Sequence, residues 1–169
     1  DKDAPKIISS NPPNFSTNFN QIEIKIAFNE WIQPLSNAKN QILFSPSIEP
    51  FPKITISRND LSIQFKDTLL PNTTYSIFFG DHLKDNNEGN PLTNFKYLFS
   101  TGNYIDSLKI KGSLKTSLDK IPENTFFMLY KDISDTVFIN QRPFYISKIE
   151  KDGHFNVENV KDGTYNIFA

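Results

Sequence analysis

Hydrophobic and polar residues alternate along most of this chain. In residues 21–29, Ile22, Ile24, Ile26 and Phe28 share one parity, while the other is mostly polar. That is the pattern of a strand with one buried face. The alternation returns at Ile54/Ile56, Leu61/Ile63/Phe65, Tyr75/Ile77/Phe79 and Phe95/Tyr97/Phe99, each run short and followed by Asn, Asp, Pro or Gly. About seven short strands are expected before Gly102. No stretch places apolar residues at i, i+3, i+4 and i+7, and β-branched and aromatic residues dominate every apolar run, so very little helix is expected. Prolines stand between the runs, at Pro12, Pro13, Pro34, Pro46, Pro50, Pro52, Pro71 and Pro91, where a missing N–H harms a ladder least.

After Ser100-Thr101-Gly102 the alternation restarts at residues 106–112 and continues through Phe126–Tyr130, Phe144–Lys151, Phe155/Val157 and Tyr165/Ile167. Asp152-Gly153 and Asp162-Gly163 supply the positive φ that tight strand connections demand. The expected organisation is therefore all-β, with one sandwich over 1–103 and a second over 104–169. The second offers about five strands and stops at Ala169 inside a regular run, which reads as a truncated module or as a sheet edge covered by a partner strand. The short joint Gly102-Asn103-Tyr104-Ile105-Asp106 holds two apolar residues and predicts a restricted hinge rather than a flexible tether.

Composition narrows the chemistry. With 16 Phe and 6 Tyr in 169 residues, there are enough bulky side chains to close thin two-sheet cores. The chain has no Cys, which rules out disulfides, thiolate metal ligands and a Cys nucleophile. A net charge of -1, with both signs interspersed, leaves no basic stripe for phosphates, and no nucleic-acid partner is expected. No apolar run approaches the ~20 residues of a membrane span, and the first residues lack a signal-peptide core. The chain reads as the mature part of an exported precursor.

No enzyme is expected. The two His, His82 and His154, fall in different modules, there is no Gly-x-Ser-x-Gly elbow, and all six Gly are isolated; neither a hydrolytic triad, a zinc site nor a phosphate cradle can be assembled. The loop from Gly80 to Asn90 concentrates oxygen donors, and Asp81, Asp85 and Glu88 are the candidate ligands for calcium as a cofactor. The spacing is not that of an EF-hand, and the plainer reading is a long turn whose Asp and Asn satisfy its own backbone. Trp31 follows the strand 22–28 on the opposite parity and is the candidate ligand-binding aromatic. Its plainer reading is to close the bottom of the sandwich with Ile32 and Leu35.

Leu69-Leu70-Pro71-Asn72-Thr73-Thr74-Tyr75 has the spacing Leu-x-Pro-x-Thr-x-Tyr and resembles the tyrosine corner of fibronectin-type and immunoglobulin-like sandwiches. Residues 5–102 as a whole resemble the bacterial Ig-like domain of the S-layer type. The likeness is carried by Pro5 to Pro12, Ile26-Ala27-Phe28-Asn29-Glu30, Ser45-Pro46, the Pro71 to Tyr75 corner, the Phe79 to Asn90 loop and the closing Phe99-Ser100-Thr101-Gly102. The second module is similar to transthyretin-like or carboxypeptidase-regulatory-like repeats, through Ile110-Lys111-Gly112, Gly153-His154-Phe155 and Gly163-Thr164-Tyr165. These resemblances imply an Ig-like sandwich followed by a prealbumin-like one, with structural roles for Pro71, Tyr75, Gly102, Gly153 and Gly163. They also imply a non-catalytic spacer, scaffold or adhesion unit of an exported bacterial envelope or surface protein, at the periplasmic face or as an outer-membrane lipoprotein, whose partners are other domains of a longer chain or envelope components. A carbohydrate- or peptide-binding module, or an accessory domain of a larger enzyme, is the alternative.

Overall fold

The computed structural model describes residues 2–116, 120–122 and 124–169. Among them the chain is nearly all β. In order, the strands are β1 (Ile7–Asn11), β2 (Glu23–Phe28), β3 (Leu43–Ser45), β4 (Lys53–Ser57), β5 (Asp60–Gln64), β6 (Thr74–Phe78), β7 (Lys96–Ser100), β8 (Leu108–Ser113), β9 (Phe126–Tyr130), β10 (Tyr145–Lys148), β11 (His154–Val160) and β12 (Asn166–Phe168). Helix is confined to two single turns, Ala38–Gln41 and Val137–Asn140. The chain divides into two compact units, Asp1–Phe44 with Ile48–Ile105, and Ser45–Ser47 with Asp106–Ala169.

The first unit has two sheets, ordered β1-β2-β5-β4 and β3-β6-β7. Antiparallel pairing sets Ile24 opposite Ile63 and Ile26 opposite Leu61; on the other side of β5, Ile54 and Ile56 face the same two residues. One parity of three strands is thereby aligned as a single apolar face. It meets Ile77, Phe79, Tyr97 and Phe99 in a core where these four and Ile24, Ile26, Leu61 and Ile63 are at most 1% exposed, with Ile54 and Ile56 partly buried against it, each fully buried large side chain contributing about 1.5–3 kcal/mol. Phe19 packs on Phe99 with ring centroids 4.5 Å apart, and Tyr75 stacks on Phe99 at 5.3 Å. In this unit the alternation misplaces Ile22. Ile22, in phase with Ile24, is 70% exposed, because β2 begins only at Glu23 and residue 22 serves the sheet through its carbonyl, which accepts the Phe65 N–H.

The start of the chain belongs to both sheets. β1 pairs with β2, and the backbone then passes through Pro12-Pro13 to run alongside β7 in parallel sense, Ser16 opposite Phe99. Four backbone hydrogen bonds hold this stretch. Phe15 N–H donates to Leu98 O (2.7 Å), Ser100 N–H to Ser16 O (2.9 Å), Asn18 N–H to Gly102 O (2.7 Å) and Phe19 N–H to Ser100 O (2.9 Å). Side chains fasten the crossing itself: the Tyr97 hydroxyl donates to Pro12 O, the Asn14 amide donates to Lys96 O, and its oxygen accepts the Leu98 N–H.

The connection into β6 is tied as firmly. Tyr75 is 2% exposed, and its hydroxyl accepts the Leu70 N–H at 2.9 Å. Thr101 Oγ1 donates to Leu70 O (2.7 Å) and accepts the Thr73 N–H (3.0 Å), while Thr73 Oγ1 donates to Pro71 O (2.9 Å). A Cβ at Gly102 would stand 3.1 Å from Asn72 Cα, so the bare glycine lets the end of β7 approach this corner.

The second unit holds sheets β10-β9-β12 and β11-β8. Its core gathers Phe127, Leu129, Tyr145, Ile149, Val157 and Val160, with Phe155 packed against them. Phe155 stacks on Phe127 at 3.9 Å and lies across Gly112, where a Cβ would come within 2.6 Å of the ring. Gly153 turns into β11 at φ +88, with a Cβ position 2.5 Å from Leu114 O, so any side chain there meets both backbone strain and a clash.

The corner gives a direct expectation. Tyr75→Phe removes the acceptor for Leu70 N–H while keeping the ring in place, and should cost about 0.5–1.5 kcal/mol. Urea unfolding measures this as a lower midpoint with an unchanged slope; an unaltered midpoint would mean that the corner bond is idle.

A Trp–Arg ledge beside a carboxylate-stapled loop

Beyond Phe28 the chain leaves β2 and threads between two turns. On one side is the tip of the β4–β5 hairpin: Ser57 and Asp60 are paired, leaving Arg58-Asn59 as a two-residue connection. Asn59 O accepts the Phe28 N–H and Arg58 O accepts the Ile32 N–H, both at 2.8 Å. On the other side is the loop after Phe79. Gln33 N–H donates to Lys84 O (2.9 Å), and Asn86 N–H donates to Trp31 O (2.8 Å). Residues 31–33 are thus pinned on both flanks. Ile32, 3% exposed, points into the core with Leu35 packed alongside, and strand-like alternation turns Trp31 outward, 57% exposed. Closing the sandwich falls to Ile32 and Leu35, not to Trp31.

The guanidinium of Arg58 stands over the indole, 5.9 Å from its centroid, at the outer limit of cation–π range. Among the described residues no carboxylate pairs with Arg58, and the indole N–H has no acceptor. Arg58 also adopts φ +56. Left-handed backbone costs a residue with a Cβ roughly 1–2 kcal/mol, and such turn positions favour Gly, Asn or Asp.

The neighbouring loop is organised by one side chain. Asp85 is fully buried. Its Oδ1 accepts the N–H groups of Asn87 (2.9 Å), Glu88 (2.6 Å) and Gly89 (3.1 Å), and its Oδ2 that of Asn90 (2.7 Å). Burial by itself pushes the carboxyl up, but the donors from Glu88, Asn90, Gly89 and Asn87 together outweigh it and hold the group at about 2. Both oxygens are therefore occupied by the loop's own backbone. Asp81 lies on the surface with Oδ1 3.9 Å from His82 Nε2. Among the described residues no three His, Cys, Asp or Glu side chains gather as a metal site, so Asp81, Asp85 and Glu88 do not converge. His154, in the second unit, is exposed beside Lys111, Lys148 and Glu150 in a shallow groove.

Arg58 is the residue that sequence reasoning passed over. A signal was available: Ser57-Arg58-Asn59-Asp60 separates two alternating runs by two residues, which places Arg58 at a hairpin tip.

Residues 1–101 match the family described as bacterial Ig-like domain. A search of curated proteins returns no match. Among solved structures, the chain is similar to the S-layer protein rSbsC(31-844), at 16% identity and TM-score 0.40 over 97% of this chain and 19% of that one. It is similar also to the N-terminal part of the bacterial S-layer protein SbsC, at 18% identity and TM-score 0.40 over 94% of this chain and 33% of that one. A third is an L,D-transpeptidase from Mycobacterium smegmatis, at 12% identity and TM-score 0.41 over 95% of this chain and 78% of that one. The chain thus spans about a fifth of the length of the first of these.

The folded Asp85 carboxyl lies below its ordinary value of 3.8, so its contribution to stability is full above that pH and is lost as pH falls through about 2. Asp85→Asn should lower the thermal midpoint at neutral pH and flatten its fall between about pH 4 and pH 2; an unchanged acid profile would contradict the staple. Millimolar calcium should leave the wild-type midpoint where it is, and a rise would restore the cation reading.

Proposed function

The chain belongs to the bacterial Ig-like domain family through residues 1–101, and from that premise we propose that it is a non-catalytic, load-bearing spacer module of a bacterial cell-envelope protein. The observation that carries this reading is the parallel pairing of residues 15–19 with β7. When neighbouring strands are parallel, tension entering at the N-terminal side of one and leaving at the C-terminal side of the other acts along them. All four backbone bonds then share the load, instead of opening one after another. The Tyr97 and Asn14 clasp and the Tyr75 corner tie down both ends of the loaded region. The chemical inventory agrees, since a chain with no Cys and with its two His in separate units has little with which to build a catalytic centre. On this reading the chain works outside the cytoplasm, and its partners are other domains of the same polypeptide and components of the envelope.

Single-molecule force spectroscopy tests the proposal. Because the chain lacks Cys, attachment points can be introduced singly. Handles at Asn11→Cys and Asn103→Cys load the parallel pair lengthwise, whereas Asn11→Cys and Thr93→Cys pull it from one end. A markedly higher rupture force is expected in the first geometry. Equal, low forces in both would remove the load-bearing role.

A further inference from the structure

Trp31 and Arg58 are presented at a cost that folding does not explain. The Arg58 backbone sits at φ +56, where glycine would be unstrained. Its side chain makes no ion pair among the described residues and reaches out over an indole that is itself more than half exposed. The surrounding backbone is fixed: Trp31 O, Ile32 N–H and Gln33 N–H are all bonded within the unit. We infer that Trp31 and Arg58 form a binding site for a carboxylated polysaccharide.

Each part of that ligand answers to a part of the ledge. An indole face accepts the C–H face of a pyranose ring, and its free N–H suits a sugar hydroxyl. An unpaired guanidinium presents a fork that matches a carboxylate. A peptide adding itself as a strand would need free backbone donors and acceptors, and residues 31–33 have already committed the groups named above. Glu30 and Asp60 adjoin the site in sequence and place negative charge near it, so a single acidic sugar unit should bind weakly. The inference is independent of the load-bearing role, since a spacer without a ligand and a ligand site on a module that bears no load are both physically coherent.

Trp31 is the only tryptophan, so its fluorescence reports on this site alone. The intact chain is titrated with oligogalacturonate, with a glucuronate-containing oligosaccharide, with methyl-esterified oligogalacturonate of the same length, and with polyglutamate. Saturable change with an acidic glycan is expected, weakened by roughly tenfold or more on esterification. Arg58→Gly should fold at least as well as wild type, since it relieves the left-handed residue, and should lose binding by a similar factor. Trp31→Ala, followed by calorimetry, should abolish it. Silence with both acidic glycans at millimolar concentration, equal binding of the esterified form or of polyglutamate, or full binding by Arg58→Gly would each overturn the assignment.

Discussion

The first unit is held shut by its own beginning. Residues 7–11 lie in one sheet and residues 15–19 against the other, so a few residues stitch both layers of the sandwich together. Without that crossing, β7 would present an unpaired edge beside Phe99, the ring on which Phe19, Phe65, Tyr75 and Tyr97 converge. Each hydrogen bond of the stretch is worth only about 0.5–1.5 kcal/mol net. Their importance is that they form together with the burial of Phe19, which ties the end of the lead-in segment to the centre of the core.

The same economy of means shapes the opposite loops. A long connection rich in Asn, Asp and Gly would ordinarily be soft, but Asp85 collects four of its N–H groups on one carboxylate. The loop is thereby stiff enough to pin Trp31 through Asn86 and Gln33 through Lys84. The ledge formed by Trp31 and Arg58 is thus rigid from below, which is what a recognition surface needs if ordering costs are to be met before a ligand arrives.

Much of this was legible in the residues. Period-two alternation located β2, β4 and β5 because their sheet has one buried face. Parity marked Trp31 as a candidate exposed aromatic, but the plainer reading had it closing the sandwich, and its 57% exposure corrects that reading. The spacing from Pro71 to Tyr75 marked a corner whose hydrogen bond is present. Other features were not legible, for physical reasons. Ile22 keeps the alternation but precedes the strand, and periodicity cannot see where pairing starts. Asp85 looks like its acidic neighbours because burial of a carboxylate depends on donors that only the folded turn brings together. Pro12-Pro13 read as punctuation, although the pair marks where the chain changes sheets. In the second unit, turns of the type Gly-x-Phe and Gly-x-Tyr point to β structure in general, and Gly112 and Gly153 are explained by close approaches that any small sandwich could contain.

If the parallel stretch 15–19 closes the first unit, native-state hydrogen exchange will show it. The amides of Phe15, Asn18, Phe19 and Ser100 should exchange as slowly as those of β2 and β5, through global unfolding alone. If they exchange at the rate of exposed loop amides while β2 and β5 stay protected, the stretch is a loose flap, and the unit is held together by something else.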